Sequence, residues 1–125
     1  MILGIGTDIV EVDRIAAKIG KETGFREMVF TPLEIAYCEK QAHPAESYAA
    51  RFAAKEALLK ALGTGWGHGN IHFNEMEITN NDAGKPALQL IGAAAACYRT
   101  FAIKQILVSL SHIKSTAIAM VVIEN

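Results

Sequence analysis

The segment from Pro44 to Leu62, PAESYAARFAAKEALLKAL, constrains this chain more than any other. Proline suits a first helical turn, and Gly63 suits the left-handed residue that ends a helix. On a helical wheel Tyr48, Phe52 and Leu59 form one apolar ridge, and alanine fills most of the far side. The pattern predicts a helix over 44–62 that is buried nearly all round. Glu56 falls beside the ridge and Lys55 flanks its other edge. A carboxylate in an apolar arc needs a partner, because an unpaired buried charge costs several kcal/mol. Two readings follow. Glu56 pairs with Lys60 one turn on, a contact worth only ~0.3–0.5 kcal/mol, or it ligates a metal ion.

The N-terminal segment poses the same choice. Residues 2–12 alternate as a strand does: Leu3, Ile5 and Ile9 point one way, and Gly4, Gly6, Asp8 and Val10 the other. The isoleucine side reads as the well-buried face. The glycine side reads as cleared of side chains just ahead of a carboxylate. Asp8 then either bonds a turn at the strand end or faces a ligand, and the glycines could equally mark a bulge. Two carboxylates with open space beside them suit Mg²⁺, which takes one or two protein carboxylates and completes its shell with water and phosphate oxygens. Lys60, near such a site, could neutralise a leaving phosphate; otherwise it is a solvated surface lysine.

The other elements are short. Asp13 is expected to cap a helix over 14–19 that Gly20 stops. Thr31-Pro32-Leu33-Glu34 is a capping box opening a helix to about Gln41. Residues 71–79 and 87–91 read as strands around a turn at 80–85, residues 92–102 as a helix, and 106–110 and 117–123 as a final hairpin. At 125 residues, half of them apolar, one α+β domain is expected over 1–125. The net charge of −1 supplies no global field for nucleic acid. No run is apolar for long enough to span a bilayer, and the N-terminus lacks the basic start of a signal peptide. Cys38 and Cys97 read as reduced thiols of a cytoplasmic protein. Arg14, Lys18 and Lys21 share one helix face, a solvated surface or a dock for an acidic partner.

Three further motifs carry less. The glycines at 63, 65, 67 and 69 lack P-loop spacing and follow a helix, so they read as a cap and loop. His68 and His72 have glycine between them, which argues against a helical zinc pair. His112 follows Ser109-Leu110-Ser111, but no nucleophile elbow supports a Ser-His hydrolase.

Gly4-Ile5-Gly6-Thr7-Asp8-Ile9-Val10-Glu11-Val12-Asp13-Arg14-Ile15 and Arg51-Phe52-Ala53-Ala54-Lys55-Glu56-Ala57-Leu58-Leu59-Lys60-Ala61-Leu62-Gly63-Thr64-Gly65 are far more specific together than any single residue. With Phe30 to Glu34, Gly84-Lys85-Pro86 and Ser109 to His112, they make the chain resemble the short-chain 4′-phosphopantetheinyl transferases, the holo-[acyl-carrier-protein] synthase family. The pattern runs in order along essentially the whole chain. The turn after His112 and the loop Trp66-Gly67-His68-Gly69 depart from it.

The resemblance implies an α+β fold with a small, mostly antiparallel sheet, one long helix and several short ones. It implies transfer of 4′-phosphopantetheine from coenzyme A to a serine of apo acyl carrier protein, in support of fatty acid biosynthesis. Asp8 and Glu56 match the Mg²⁺ positions, and Lys60 the lysine that assists the leaving phosphate. Arg51, Gly65, Lys85, Pro86, Ser111 and His112 match coenzyme A segments, and the Arg14 helix matches the carrier-protein dock. A homotrimer with active sites between subunits is also implied. The base that takes the serine proton is left open between a metal-bound water and a carboxylate. Two rivals stand beside this reading: a metal-dependent nucleotide hydrolase using the same carboxylates, and a non-catalytic coenzyme A-binding module.

Overall fold

The computed structural model describes residues 1–63 and 71–125. In chain order the elements are β1 (Ile2–Glu11), α1 (Val12–Gly20), α2 (Phe25–Val29), α3 (Pro32–Glu39), α4 (Pro44–Leu62), β2 (Met76–Asn80), β3 (Pro86–Leu90), α5 (Cys97–Thr100), β4 (Gln105–His112) and β5 (Thr116–Glu124). Strands β1, β5 and β4 form one antiparallel sheet in that order, and β2 and β3 form a separate antiparallel pair. The expected α+β architecture is present.

Helix α4 is the centre of the molecule. Tyr48, Ala49, Ala50, Ala53, Ala54, Ala57, Leu58, Leu59 and Ala61 are all buried, so the expectation of burial nearly all round holds. It ends at Gly63, whose φ of 71° is the left-handed conformation that glycine adopts without strain. The alanines let the helix lie close on the inner face of the large sheet.

The two faces of β1 are the reverse of the expectation. Gly4, Gly6 and Val10 point inward with Asp8. A Cβ added to Gly4 would collide with the Ala61 carbonyl oxygen, and one on Gly6 with that of Ala57. The glycines clear space for helix α4, not for a ligand. Ile5 and Ile9 lie on the outer face, 63% and 70% exposed. Periodicity marks two faces of a strand but does not say which one meets the core.

The capping box at Thr31 forms as expected: Glu34 N donates to Thr31 Oγ1 at 3.3 Å, and Thr31 N to Glu34 Oε1 at 2.9 Å. Other boundaries differ. Asp13 lies inside α1 and caps nothing; Glu11 stands at the cap position without a side-chain bond, and Gly20 is the last helical residue. Helix α2, which begins after Gly24 at φ 87°, had no sequence signal strong enough to expect it. Residues 71–79 are not one strand: Phe73–Glu75 form a 3₁₀ turn before β2. The expected helix over 92–102 breaks into a 3₁₀ stretch, Gly92–Ala96, and the single turn of α5. Cys38 is buried and Cys97 half-buried, and both are free. Burial pushes the Cys38 thiol up to about 12. Among the described residues no helix is long and apolar enough to cross a membrane.

Candidate active site

The inward face of β1 delivers Asp8 to the flank of α4, where Glu56 and Lys60 lie one turn apart. Lys60 Nζ donates to Asp8 Oδ1 and to the Thr7 carbonyl oxygen, both at 3.0 Å. Lys60 thus crosses to the strand rather than closing the intrahelical pair with Glu56, the first of the two readings of that carboxylate. Among the described residues Glu56 has neither a hydrogen bond nor an ion pair. Burial raises its carboxyl above the usual carboxylate range, and the nearby Asp8 charge adds to this; Lys60 and Lys18 oppose it. An under-compensated carboxylate held near a second one is an arrangement that a cation could neutralise.

Asp8 and Glu56 open into a cleft of about 700 Å³. Arg14 and Lys18 of α1 line one side, and Phe25, Phe52 and Phe73 form an aromatic wall. The Phe52 and Phe73 rings stack with centroids 5.5 Å apart, and Phe25 lies 6.1 Å from Phe52. Lys18 Nζ sits 5.4 Å from the Phe25 ring centroid. Lys21 lies just past the helix as its C-cap. Ile15 and Ile19 turn to the core, so the basic residues and the apolar ones do separate on α1.

The donor set fits a hard divalent ion. Among the described residues no three His, Cys, Asp or Glu side chains gather at one point. A cation here would therefore have two protein carboxylates and would draw its other oxygens from water and substrate. That suits Mg²⁺ and does not suit structural Zn²⁺.

A second cleft, of about 180 Å³, brings together Arg51, Pro86 and His112 with Tyr37 and Asn80. The buried Arg51 guanidinium lies 4.1 Å from the Tyr37 ring centroid and donates from Nη2 to Asn80 Oδ1 at 2.5 Å. Its Nε is buried without a partner among the described residues. His112 Nδ1 lies 3.2 Å from Glu46 Oε1. Lys85 sits in the β2–β3 turn, its backbone held on both sides by Asn81. Ser111 is on the outer sheet face, opposite Ile118, and does not join Arg51. Gly65, His68 and the rest of 64–70 lie outside the described residues. The two clefts share no lining residue.

Sequence reading missed the buried network behind this site. Lys55 Nζ donates to Glu34 Oε1, the Val29 carbonyl and the Phe73 carbonyl at 2.6, 2.7 and 2.9 Å. Glu34 Oε2 accepts from Ile78 N at 2.8 Å, and Thr31 Oγ1 donates to Glu77 Oε2 at 2.6 Å. The lysine's neighbours are 18 to 26 residues away in sequence, so local pattern could not reveal them.

Comparison with known proteins gives the chain a family. A model of the 4′-phosphopantetheinyl transferase superfamily matches residues 4–121. The holo-[acyl-carrier-protein] synthase of Cytophaga hutchinsonii is 50% identical over 123 residues, which cover 97% of this chain and 96% of that protein. The crystal structure of holo-[acyl-carrier-protein] synthase from Neisseria meningitidis superposes with a TM-score of 0.90 at 36% identity, covering 100% of both chains. The Helicobacter pylori holo-[acyl-carrier-protein] synthase, solved in complex with coenzyme A, gives 0.82 at 33% identity over 96% of this chain and 99% of that one. The chain belongs to the 4′-phosphopantetheinyl transferase superfamily, within its holo-[acyl-carrier-protein] synthase group. It is a transferase.

Proposed function

We propose that the protein transfers the 4′-phosphopantetheine group of coenzyme A to a serine of apo acyl carrier protein. The observation that carries this reading is the pair Asp8 and Glu56, set in one cleft with Lys60 beside them, in a chain of this family. The serine gives its hydroxyl proton to a base, and its oxygen forms a bond to the phosphorus that bears pantetheine. The bridging P–O bond of the diphosphate breaks, and adenosine 3′,5′-bisphosphate leaves.

Asp8 and Glu56 would hold Mg²⁺. When bound, the ion neutralises the diphosphate and orients it for in-line displacement. The chain's own groups do the rest. Lys60 offers an ammonium to the departing phosphate oxygen. Arg51, Lys85, Pro86, Ser111 and His112 receive coenzyme A with Gly65. Arg14, Lys18 and Lys21 draw an acidic carrier protein to the cleft, by an attraction that weakens as salt rises.

The reading extends to a homotrimer with sites between subunits. Two features support it. The outer sheet face exposes Ile5, Ile9, Ile118 and Met120, a patch more apolar than solvent tolerates without cost. The carboxylate cleft and the Arg51 cleft stay separate within one chain. The cytoplasm and the supply of holo carrier protein for fatty acid biosynthesis complete the proposal.

The test incubates the protein with coenzyme A, Mg²⁺ and apo carrier protein, then weighs the carrier by mass spectrometry. Addition of one phosphopantetheine is expected. Turnover of coenzyme A without any change in the carrier would instead identify a hydrolase. Binding with no product would identify a coenzyme A-binding module.

A further inference from the structure

Lys60 and a divalent cation both need Asp8. The lysine Nζ already uses two of its three donors on the Thr7 carbonyl and Asp8 Oδ1. Its side chain is 57% exposed, whereas that of Asp8 is 15% exposed. The ammonium therefore reaches inward from the rim of the cleft to a carboxylate that is largely enclosed. It has a long flexible stem and open space to swing through. Glu56 has no such partner among the described residues. The two carboxylates are thus unequal: one is already neutralised and the other is not.

A cation bound between Asp8 and Glu56 repels an ammonium that shares the Asp8 carboxylate. A diphosphate held at such a site would put anionic oxygens close to the place the ammonium leaves. We propose that Lys60 changes partner during loading: it neutralises Asp8 until cation and diphosphate arrive together, then transfers to the diphosphate. This deepens the reading of Asp8 and Glu56 as cation ligands and rests on it.

Two consequences follow. Cation binding alone sets a second positive charge against Asp8 and costs Lys60 its carboxylate partner with no other anion to replace it, so it is held weak. Coenzyme A supplies the new partner, so cation and coenzyme A each strengthen the other's binding, by the same factor in both directions. Lys60 sets part of that coupling. Its role then begins before the chemical step, as a positioning residue that favours joint loading.

The test measures binding without any carrier protein, so coenzyme A is not consumed. Free Mn²⁺ is counted by electron paramagnetic resonance, with and without coenzyme A, in the unaltered protein, Lys60→Met and Asp8→Asn. Without coenzyme A, Lys60→Met is expected to bind Mn²⁺ about two- to five-fold more tightly, the scale of an exposed ion pair. Its gain in Mn²⁺ affinity on adding coenzyme A should be smaller than that of the unaltered protein. A second readout is the Lys60 side-chain ¹⁵N–¹H signal, assigned by its loss in Lys60→Met. It should move when Mg²⁺ and coenzyme A are added together. Mn²⁺ binding that Asp8→Asn weakens, with Lys60→Met showing unchanged or weaker affinity and full coupling, overturns the exchange of partners alone. Mn²⁺ binding that is absent, or indifferent to Asp8→Asn, overturns the cation site itself and the exchange with it.

Discussion

Lys55 Nζ and Glu34 Oε1 lie 2.6 Å apart, and neither side chain has any exposure. Burial pulls the lysine pKa down, and Glu34 opposes this. The pair joins α4 to the start of α3, and the other two donors of Lys55 hold the end of α2 and the residue that stacks on Phe52. Removing one member leaves a charge buried alone. Lys55→Met is expected to cost about 3–5 kcal/mol in urea denaturation. Lys55→Met combined with Glu34→Gln removes both charges and should recover part of that loss. Equal stability of the single and double variants would contradict this account.

Glu56 carries the opposite trade. Its carboxyl sits above the ordinary carboxylate range because of burial and the Asp8 charge. The native state therefore holds this proton more tightly than the unfolded chain. Ionisation opposes folding, so the stability contributed here is present at low pH and is lost as pH rises through the raised value. In EDTA, Glu56→Gln should melt higher than the unaltered protein at pH 7 and should lack this part of the pH slope. Mg²⁺ should raise the melting temperature of the unaltered protein only. Calorimetry at several pH values checks both points.

Gly6 admits no side chain. A Cβ there would also fall 2.8 Å from Ala61 N, and backbone cannot yield as a side chain can. Gly6→Ala is expected to destabilise by about 3 kcal/mol or more. Denaturation or loss of soluble folded protein would report it.

The exposed outer face gives a test of assembly. Ile5→Arg places a charge in the middle of that face and should convert the proposed trimer to monomers, read by analytical ultracentrifugation. A monomeric unaltered protein would remove the proposed assembly.

Charge reversal at Arg14 tests the docking role. Arg14→Glu should raise KM for carrier protein several-fold and leave that for coenzyme A nearly unchanged, with the difference shrinking in high salt. Equal effects on both would count against α1 as the dock.

Much of this was legible in the chain. The limits of α4, with proline in its first turn and glycine after, followed from local backbone chemistry, as did the capping box at Thr31. Asp8 and Glu56 were marked by a carboxylate standing where apolar or small residues surround it. What escaped reading depended on partners distant in sequence. The isoleucine face of β1 looks like a core face to any periodic argument, and only the packing of α4 against the glycines shows otherwise. Glu34 was read as a cap, which it is, but a local motif cannot show that the same carboxylate also receives a buried lysine. The split between the Arg51 cleft and the Asp8 cleft is likewise a property of three dimensions.

The contact between β1 and α4 is made by main chain against main chain, with Gly4 and Gly6 seated on the carbonyls of Ala61 and Ala57. Asp8 is two residues from that contact on one element, and Glu56 and Lys60 are adjacent to it on the other. The spacing between Asp8 and the pair Glu56 and Lys60 is therefore gauged by peptide backbone, a part that no side-chain substitution elsewhere in the core can lengthen. Variants that repack the distant interior are free to drift in sequence while this gauge keeps its setting. A designer who wishes to admit a larger ion or a different diphosphate would have to alter the glycines themselves.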